Sequence, residues 1–421
     1  MLRFAPSPTT DINIGDLHIA LFNYLTAQHL KEDFIVRIED LDSKDAKSED
    51  ILDTLALFNI HYTQVMQQSQ NVRFHAAMAL QLMHEKMAFS CFCSSAWLDS
   101  KKSEAEALSK EYCYDDACRN LPAELVIDNT NPFTVRITRP NAPLLLSDKL
   151  QGDLSFSPDY IDSFVIMHQD KTPTSDFASA VDDMLNDISV IIRDKTLIQH
   201  SAKQEHIRKS LSYDKKVTFI HIPTIKEKIT VKSLLADGFL PEAILNYLIS
   251  MSMKTDKEIF TLEECKKWFR IENIISTSTS ASIQFDMQRL REINREHLKN
   301  LEPRELSRYV GFADDEIGKL AYIYLDDIAT TKELKEKINP IFNQTAKITN
   351  DEGIETLITT IKNAPYFDEY EAFRSYIIEK SGFDGEKFEK QFRMLLTNSN
   401  KGPELSEIYK YLKNYIGEII K

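Results

Sequence analysis

Near residue 222 the hydrophobic pattern of the chain changes its period, and that change limits the fold more than any composition value. Before it, apolar runs such as "DFIVRIED", "DSFVIM", "ISVIIR" and "KVTFIHIP" alternate with longer helical patterns. Buried strands of a parallel sheet read as near-continuous apolar runs, and strands alternating with helices predict an α/β fold. After it, from "TVKSLLADGFLPEAILNYLISM" onward, the pattern is helical almost throughout, with breaks at Gly238, Pro241, Pro303, Gly311, Pro340 and Gly402. No fixed-period repeat or low-complexity linker is visible, so the second half is expected to be packed helical domains.

The first half carries its own interruption. Residues 76–162 hold a cysteine cluster and the shorter strand patterns of "NPFTVRITRP" and "LLLSDKLQGDLSF". We read them as an insertion between two halves, 1–75 and 163–222, of a doubly wound sheet. The ligand crevice would then lie at the switch point, lined by the loop after the first strand and by later strand ends. Helical regions are expected over 223–298 and 299–421.

Composition narrows the setting. A chain of 421 residues, 43% hydrophobic and 28% charged, is long enough for two to four domains with cores. No apolar run approaches the roughly 18 residues of a membrane span, and "MLRFAPSP" lacks the features of a signal peptide, so a soluble cytoplasmic protein with no membrane partner is expected. The five cysteines are too few for a disulfide framework; four crowd between Cys91 and Cys118, which points to metal or to chance. A net charge of −14 argues against bulk affinity for nucleic acid while leaving room for a local basic face.

In order and spacing, "RFAPSPT", "ALFNYL", "FIVRIEDLD", "CFC", "YDDAC", "DSFVIM", "DKTPT", "FASAVDDMLNDISVIIR", "KQEHI" and "DGFLPEAILNYL" resemble the bacterial glutamyl-tRNA synthetases, class I aminoacyl-tRNA ligases. "FDMQRLREINREHL" and "LLTNSNKGPEL" extend the likeness nearly to residue 421. The resemblance implies a Rossmann-type α/β catalytic domain with an inserted α+β acceptor-stem domain, then an all-α stem-contact region and an anticodon-binding domain. It implies ATP and Mg as cofactors, glutamate and tRNA as ligands, and a monomer. The reaction it implies joins glutamate to ATP as an acyl-adenylate and passes it to tRNA, which places charge on the α-phosphate and pyrophosphate.

Three elements that handle ATP in the resembling family differ here. The family's His-Ile-Gly-His-like signature, at a helix N-terminus whose dipole favours phosphate, reads Asn13-Ile14-Gly15-Asp16. Asn13 carries no positive charge, and Asp16 adds a negative one. His18, five positions from Asn13, is expected to be a surface or packing histidine. Where the family has a mobile Lys-Met-Ser-Lys-type loop, only "TIKEKIT" joins "HIP" to "VKSLLADGFLPEA"; Lys226, Lys228 and Lys232 remain as residual cations, or as an ordinary solvated turn. The "RGEDH"-like loop is "RDKTL", with Lys195, Thr196 and Leu197 in place of two acids and a histidine.

The amino-acid pocket is expected to use Arg3, Ser7, Glu39, Ser179 and Arg193, the last pairing with the substrate's side-chain carboxylate. Glu39 would meet the α-ammonium, or serve the fold as a partner of Arg37 or Arg3. Ser175 stands where the family has tyrosine, beside Asp176. Family members that bind zinc use a ligand set matching Cys91, Cys93, Tyr114 and Cys118; Cys113 is an alternative fourth ligand, and packing cysteines are the alternative to a metal. Cys265 is expected to be an ordinary buried thiol. The reading that follows is a paralogue with little or no ligase activity, retained to bind tRNA, glutamate, or a partner such as an active synthetase or an amidotransferase. A working glutamate-tRNA ligase with atypical motifs, using Lys195, Lys226 or Lys228, and an enzyme repurposed for a glutamate-like or tRNA substrate are the alternatives.

Overall fold

A computed structural model describes residues 1–41, 48–110, 112–275, 282–343 and 352–420. Twelve strands occur among them: β1 (Leu2–Phe4), β2 (Phe34–Ile38), β3 (Gln64–Gln67), β4 (Ala88–Cys91), β5 (Thr134–Ile137), β6 (Leu144–Asp148), β7 (Gly152–Phe156), β8 (Val165–Met167), β9 (Val190–Asp194), β10 (Thr218–Ile222), β11 (Thr224–Ile225) and β12 (Ser282–Ile283). They form a seven-stranded sheet in the order β3-β2-β1-β9-β10-β6-β7, a three-stranded sheet β4-β5-β8 and a two-stranded sheet β11-β12. In the large sheet every pairing is parallel except the hairpin β6–β7. The chain builds outward from β1 to β3 and then returns to the other side of β1 with β9. The switch point therefore lies between β1 and β9, with its crevice beyond Phe4 and Asp194.

The helix Ile14–Leu30 follows β1 and packs against β1 and β9. It buries Leu17, Leu21, Phe22 and Leu25 completely, each contributing about 1.5–3 kcal/mol over an exposed position. β2, β9 and β10 arise from the apolar runs noted above and are buried almost throughout.

Three strands sit elsewhere than their sequence pattern suggests. The run "DSFVIM", expected among the parallel strands, forms β8, which pairs antiparallel with β5 across an irregular register at Val135 and Arg136. Three apolar residues satisfy either arrangement equally, so periodicity cannot separate them. The hairpin β6–β7, read as part of the insertion, instead extends the large sheet beyond β10. Leu146 explains why: it joins Ile35, Ile191 and Phe219 in one buried cluster. The small sheet is likewise no free-standing body. Val135, Ile137 and Ile166 share a core with Phe177 and Val181 of helix Ser175–Leu185 and with Ala202 and Ile207 of helix Ile198–Ser210.

The residues divide into two compact units, one of Met1–Val231, Leu248–Asp256 and Leu262–Phe285, the other of Lys232–Tyr247, Lys257–Thr261 and Asp286–Lys421. The second is helical. Its helices Pro303–Tyr309 and Asp315–Tyr322 approach so closely at Gly318 that a Cβ there would lie 1.8 Å from the Pro303 carbonyl oxygen, which explains glycine within a helix. Phe373, Phe388, Phe392 and Tyr409 stack in a buried aromatic group. Among the described residues, no helix is long and apolar enough to cross a membrane.

Candidate active site at the switch point

The helix that begins at Ile14 has a fully occupied N-terminus. Asn13 is its cap: the Oδ1 atom accepts from the Gly15 N–H at 2.8 Å and the Asp16 N–H at 3.1 Å. Asp16 reaches back to accept the Asn13 N–H at 3.1 Å, completing a capping box. The Ile14 N–H donates to the Ile229 carbonyl at 2.9 Å. The N–H groups of Asn13, Ile14, Gly15 and Asp16, which a helix leaves free for an anion, thus all have partners in the chain.

The segment that supplies the Ile229 carbonyl is "TIKEKIT". Thr230 forms a bridge with Asn13, and the Val231 N–H donates to the Ile12 carbonyl, so the short segment is laced to the start of the helix. Lys226 and Lys228 are exposed. Asp194 of "RDKTL" accepts from the Thr196 N–H and hydroxyl and from the hydroxyl of Thr224 at the head of the same segment. Burial raises the Asp16 carboxyl above its ordinary range; the Asn13 hydrogen bond opposes this and the charge of Asp194 adds to it. The three elements therefore do converge, and what they bring together is acidic. His18 is buried within the helix and hydrogen-bonds Ser252 Oγ at 2.7 Å. Burial pushes its pKa down to about 4, against the pull of Asp194, so it is a neutral packing histidine.

The residues expected to form an amino-acid pocket come from β1, β2, β9 and the helix Ser175–Leu185. Arg3 Nε and Arg37 Nη1 both donate to Asp183 Oδ1, at 3.0 and 2.5 Å, and all three side chains are almost wholly buried. Arg37 Nη2 pairs with Glu39 Oε1 at 3.0 Å, and Ser179 Oγ donates to the same oxygen at 2.7 Å. Glu39 is accordingly a partner of Arg37, whereas Arg3 takes Asp183. Arg193 Nη1 donates to Gln204 Oε1 at 3.0 Å and to Ser201 Oγ at 3.3 Å. Burial lowers the Arg193 pKa to about 9; the charges of Arg3 and Arg37 add to this, and those of Asp183 and Glu39 oppose it. Arg3 Nη2 and Arg193 Nε are buried without hydrogen-bond partners. Such donors cost stability unless a ligand meets them. Ser7 is exposed and bonds only locally to Thr9 Oγ1 at 3.2 Å; Ser175 is exposed at the first turn of its helix. Asp176 turns to His200 at 2.9 Å and to Gln204 at 3.2 Å.

Asp183, Ser201 and Gln204 were not singled out by sequence reasoning. The acidic pair in "FASAVDDMLNDIS" is the signal for Asp183, since charges in an otherwise buried helix demand partners.

The cysteine cluster closes around a point. The Sγ atoms of Cys91, Cys93 and Cys118 lie within 4.8 Å of one another, with Cys93 and Cys118 at 3.5 Å. The Tyr114 hydroxyl is 3.4 Å from both Cys91 and Cys93 sulfurs. The donor set and its spacing fit a tetrahedral zinc with Zn–S bonds of about 2.3 Å. Cys113 Sγ lies instead 3.6 Å from Asp162 Oδ1 and 3.4 Å from Arg139 Nη1. The Arg136 guanidinium lies 4.0 Å from the centre of the Tyr114 ring. Cys265 is buried, and burial raises its pKa to about 12, as an ordinary core thiol requires.

A family model described as "tRNA synthetases class I (E and Q), catalytic domain" matches residues 1–291. "Glutamate--tRNA ligase 2" of Sulfurimonas denitrificans is 49% identical, and "Glutamate--tRNA ligase 1" of Campylobacter jejuni 42% identical, each over the full length of both chains. The crystal structure of a glutamate tRNA ligase from Elizabethkingia meningosepticum in complex with its amino acid superimposes with a TM-score of 0.81 over 99% of this chain and 97% of that one, at 20% identity. A glutamate-tRNA synthetase from Elizabethkingia anophelis gives a TM-score of 0.79 over 99% and 98%, at 21% identity. The chain belongs to the class I tRNA synthetases for glutamate and glutamine, in the company of the glutamate-tRNA ligases.

Proposed function

We propose that this chain is a binding member of the glutamate-tRNA ligase family, with little or no ligase activity of its own. The observation that carries the reading is the helix N-terminus: Asn13, Asp16 and the Ile229 carbonyl take the N–H groups that a nucleotide phosphate would use. Asp16 and Asp194 supply negative charge where a triphosphate with Mg would need the opposite sign. The pocket for the amino acid keeps its arginines, so glutamate binding without ATP is expected. The region from residue 223 to 298 is assigned to stem contact and that from 299 to 421 to the anticodon arm, with tRNA as the macromolecular ligand in the cytoplasm. A partner protein, an active synthetase or an amidotransferase, would receive what is bound.

The test is aminoacylation of total cellular tRNA by the purified protein with labelled glutamate, ATP and Mg, with tRNA binding measured on the same preparation. Binding without charging is the expected result; charging at ordinary ligase rates overturns the reading. The second reading, a working ligase, draws on the full-length likeness to proteins named glutamate-tRNA ligases and on the exposed Lys226 and Lys228, and clear charging would establish it.

Zinc is assigned a structural role, held by Cys91, Cys93, Tyr114 and Cys118. One equivalent of zinc by elemental analysis is expected in the wild type, lost in Cys91→Ser and kept in Cys113→Ser. Equal retention or equal loss in the two variants would refute the ligand set.

A further inference from the structure

Beneath Arg193 runs a directed chain of hydrogen bonds. Asp148, the last residue of β6 at the β6–β7 turn, accepts the Leu150 and Gln151 N–H groups on Oδ1 at 2.8 and 2.7 Å, and the His221 N–H on Oδ2 at 3.0 Å. The same Oδ2 lies 2.7 Å from His221 Nδ1, and His221 Nε2 lies 2.8 Å from Ser201 Oγ. Asp148, His221 and Ser201 are buried. An ionised carboxylate only accepts, so Nδ1 carries the ring proton and Nε2 of the neutral imidazole is an acceptor. Burial keeps the His221 pKa below its ordinary value, against the pull of Asp148. Ser201 must then donate its hydroxyl proton to Nε2. That leaves its lone pairs for Arg193 Nη1, at 3.3 Å. Gln204 Oε1 accepts from the same Nη1 at 3.0 Å.

We propose that Asp148, His221 and Ser201 are positioning residues that aim the Arg193 guanidinium, so that preference for an amino-acid side-chain carboxylate over the matching amide depends on a hydrogen-bond chain beginning at the β6–β7 turn. The proposal rests on the amino-acid pocket described above. A guanidinium reads a carboxylate through two parallel N–H bonds, and a tilt of the plane spoils both. An amide ligand, which meets the guanidinium through one oxygen, is less sensitive to that tilt. Loss of the chain therefore changes selectivity, whereas general loosening of the pocket would weaken both ligands alike.

The experiment uses the full-length protein titrated calorimetrically with L-glutamate and with L-glutamine. Ser201→Ala is expected to weaken glutamate about tenfold and glutamine less than about twofold, the size of one charge-assisted hydrogen bond. Ser201→Thr, which keeps the hydroxyl, is expected to restore glutamate to within about twofold of the wild type. A crystal structure of unliganded Ser201→Ala is expected to show the guanidinium swung away from Gln204. Equal weakening of both ligands, or an unmoved guanidinium in Ser201→Ala, overturns the proposal. If the wild type itself gives no heat with glutamate, the pocket reading fails, and the position of the guanidinium alone decides the positioning role.

Discussion

At the start of the helix Ile14–Leu30 every N–H has a partner from the chain itself, whereas in the neighbouring pocket Arg3 and Arg193 bury guanidinium nitrogens that have none. Both regions line one crevice and both descend from ligand-binding chemistry. A capped helix end is content without a ligand; a buried guanidinium with a spare donor is destabilising until an acceptor arrives. The contrast separates two histories within one site. On the proposed reading, the phosphate end is closed by its own capping bonds, while the amino-acid end still carries the cost of being ready to bind.

The largest test of that contrast is at Asp183, the anion shared by Arg3 and Arg37. Those two arginines, with Arg193 and Arg208, hold its carboxyl well below the usual range in spite of burial. Asp183→Ala leaves two buried guanidinium groups without their anion, and a loss of about 3–5 kcal/mol in urea denaturation is expected. A loss under about 1 kcal/mol would mean that water reaches the pocket and that its charges are not under strain.

A smaller effect tests the phosphate end through pH. His18 has its folded-state pKa lowered to about 4, so between that value and its unfolded value near 6.5 the unfolded chain binds the extra proton. Its contribution is therefore complete above the unfolded pKa and is lost as pH falls through this window. Between pH 7 and pH 5 the loss amounts to about 2 kcal/mol. The difference in stability between those two pH values is expected to shrink by that amount in His18→Gln; an unchanged difference would show that protons enter the helix interior without cost.

The smallest effect is the cap itself. Asn13→Ala removes the acceptor of two helix N–H groups and is expected to cost about 1 kcal/mol of stability. ATP affinity in calorimetry is expected to stay undetectable, because the charges of Asp16 and Asp194 remain. Appearance of ATP binding in this variant would place the block in the cap alone and sharpen the contrast further.

How far the sequence reveals all this depends on the reach of each signal. β2, β9 and β10 are visible as apolar runs because they are buried almost throughout. β8 is hidden, since three residues cannot declare a partner. Tyr114 and Cys113 are adjacent in sequence and chemically alike as ligands, and only the fold turns one toward Cys91 and Cys93 and the other toward Asp162. The motifs around Asn13, Asp194 and Thr230 are legible in the sequence, but the lacing at the helix end depends on backbone bonds that no side-chain pattern records. Asp183 was missed because its partners stand 180 and 146 positions away.

That last separation bears on how the protein is made. Arg3 and Arg37 leave the ribosome long before Asp183 is synthesised, and β1 lacks β9 as its neighbour for the same interval. Until then Arg37 has only Glu39 as an anion and Arg3 lacks Asp183, so closing the core over them would bury positive charge that is only partly compensated. At about 5–20 residues per second the interval between Arg37 and Asp183 lasts from roughly 7 to roughly 30 seconds. The full set of charge partners for Arg3 and Arg37 therefore exists only once the chain has been made as far as Asp183.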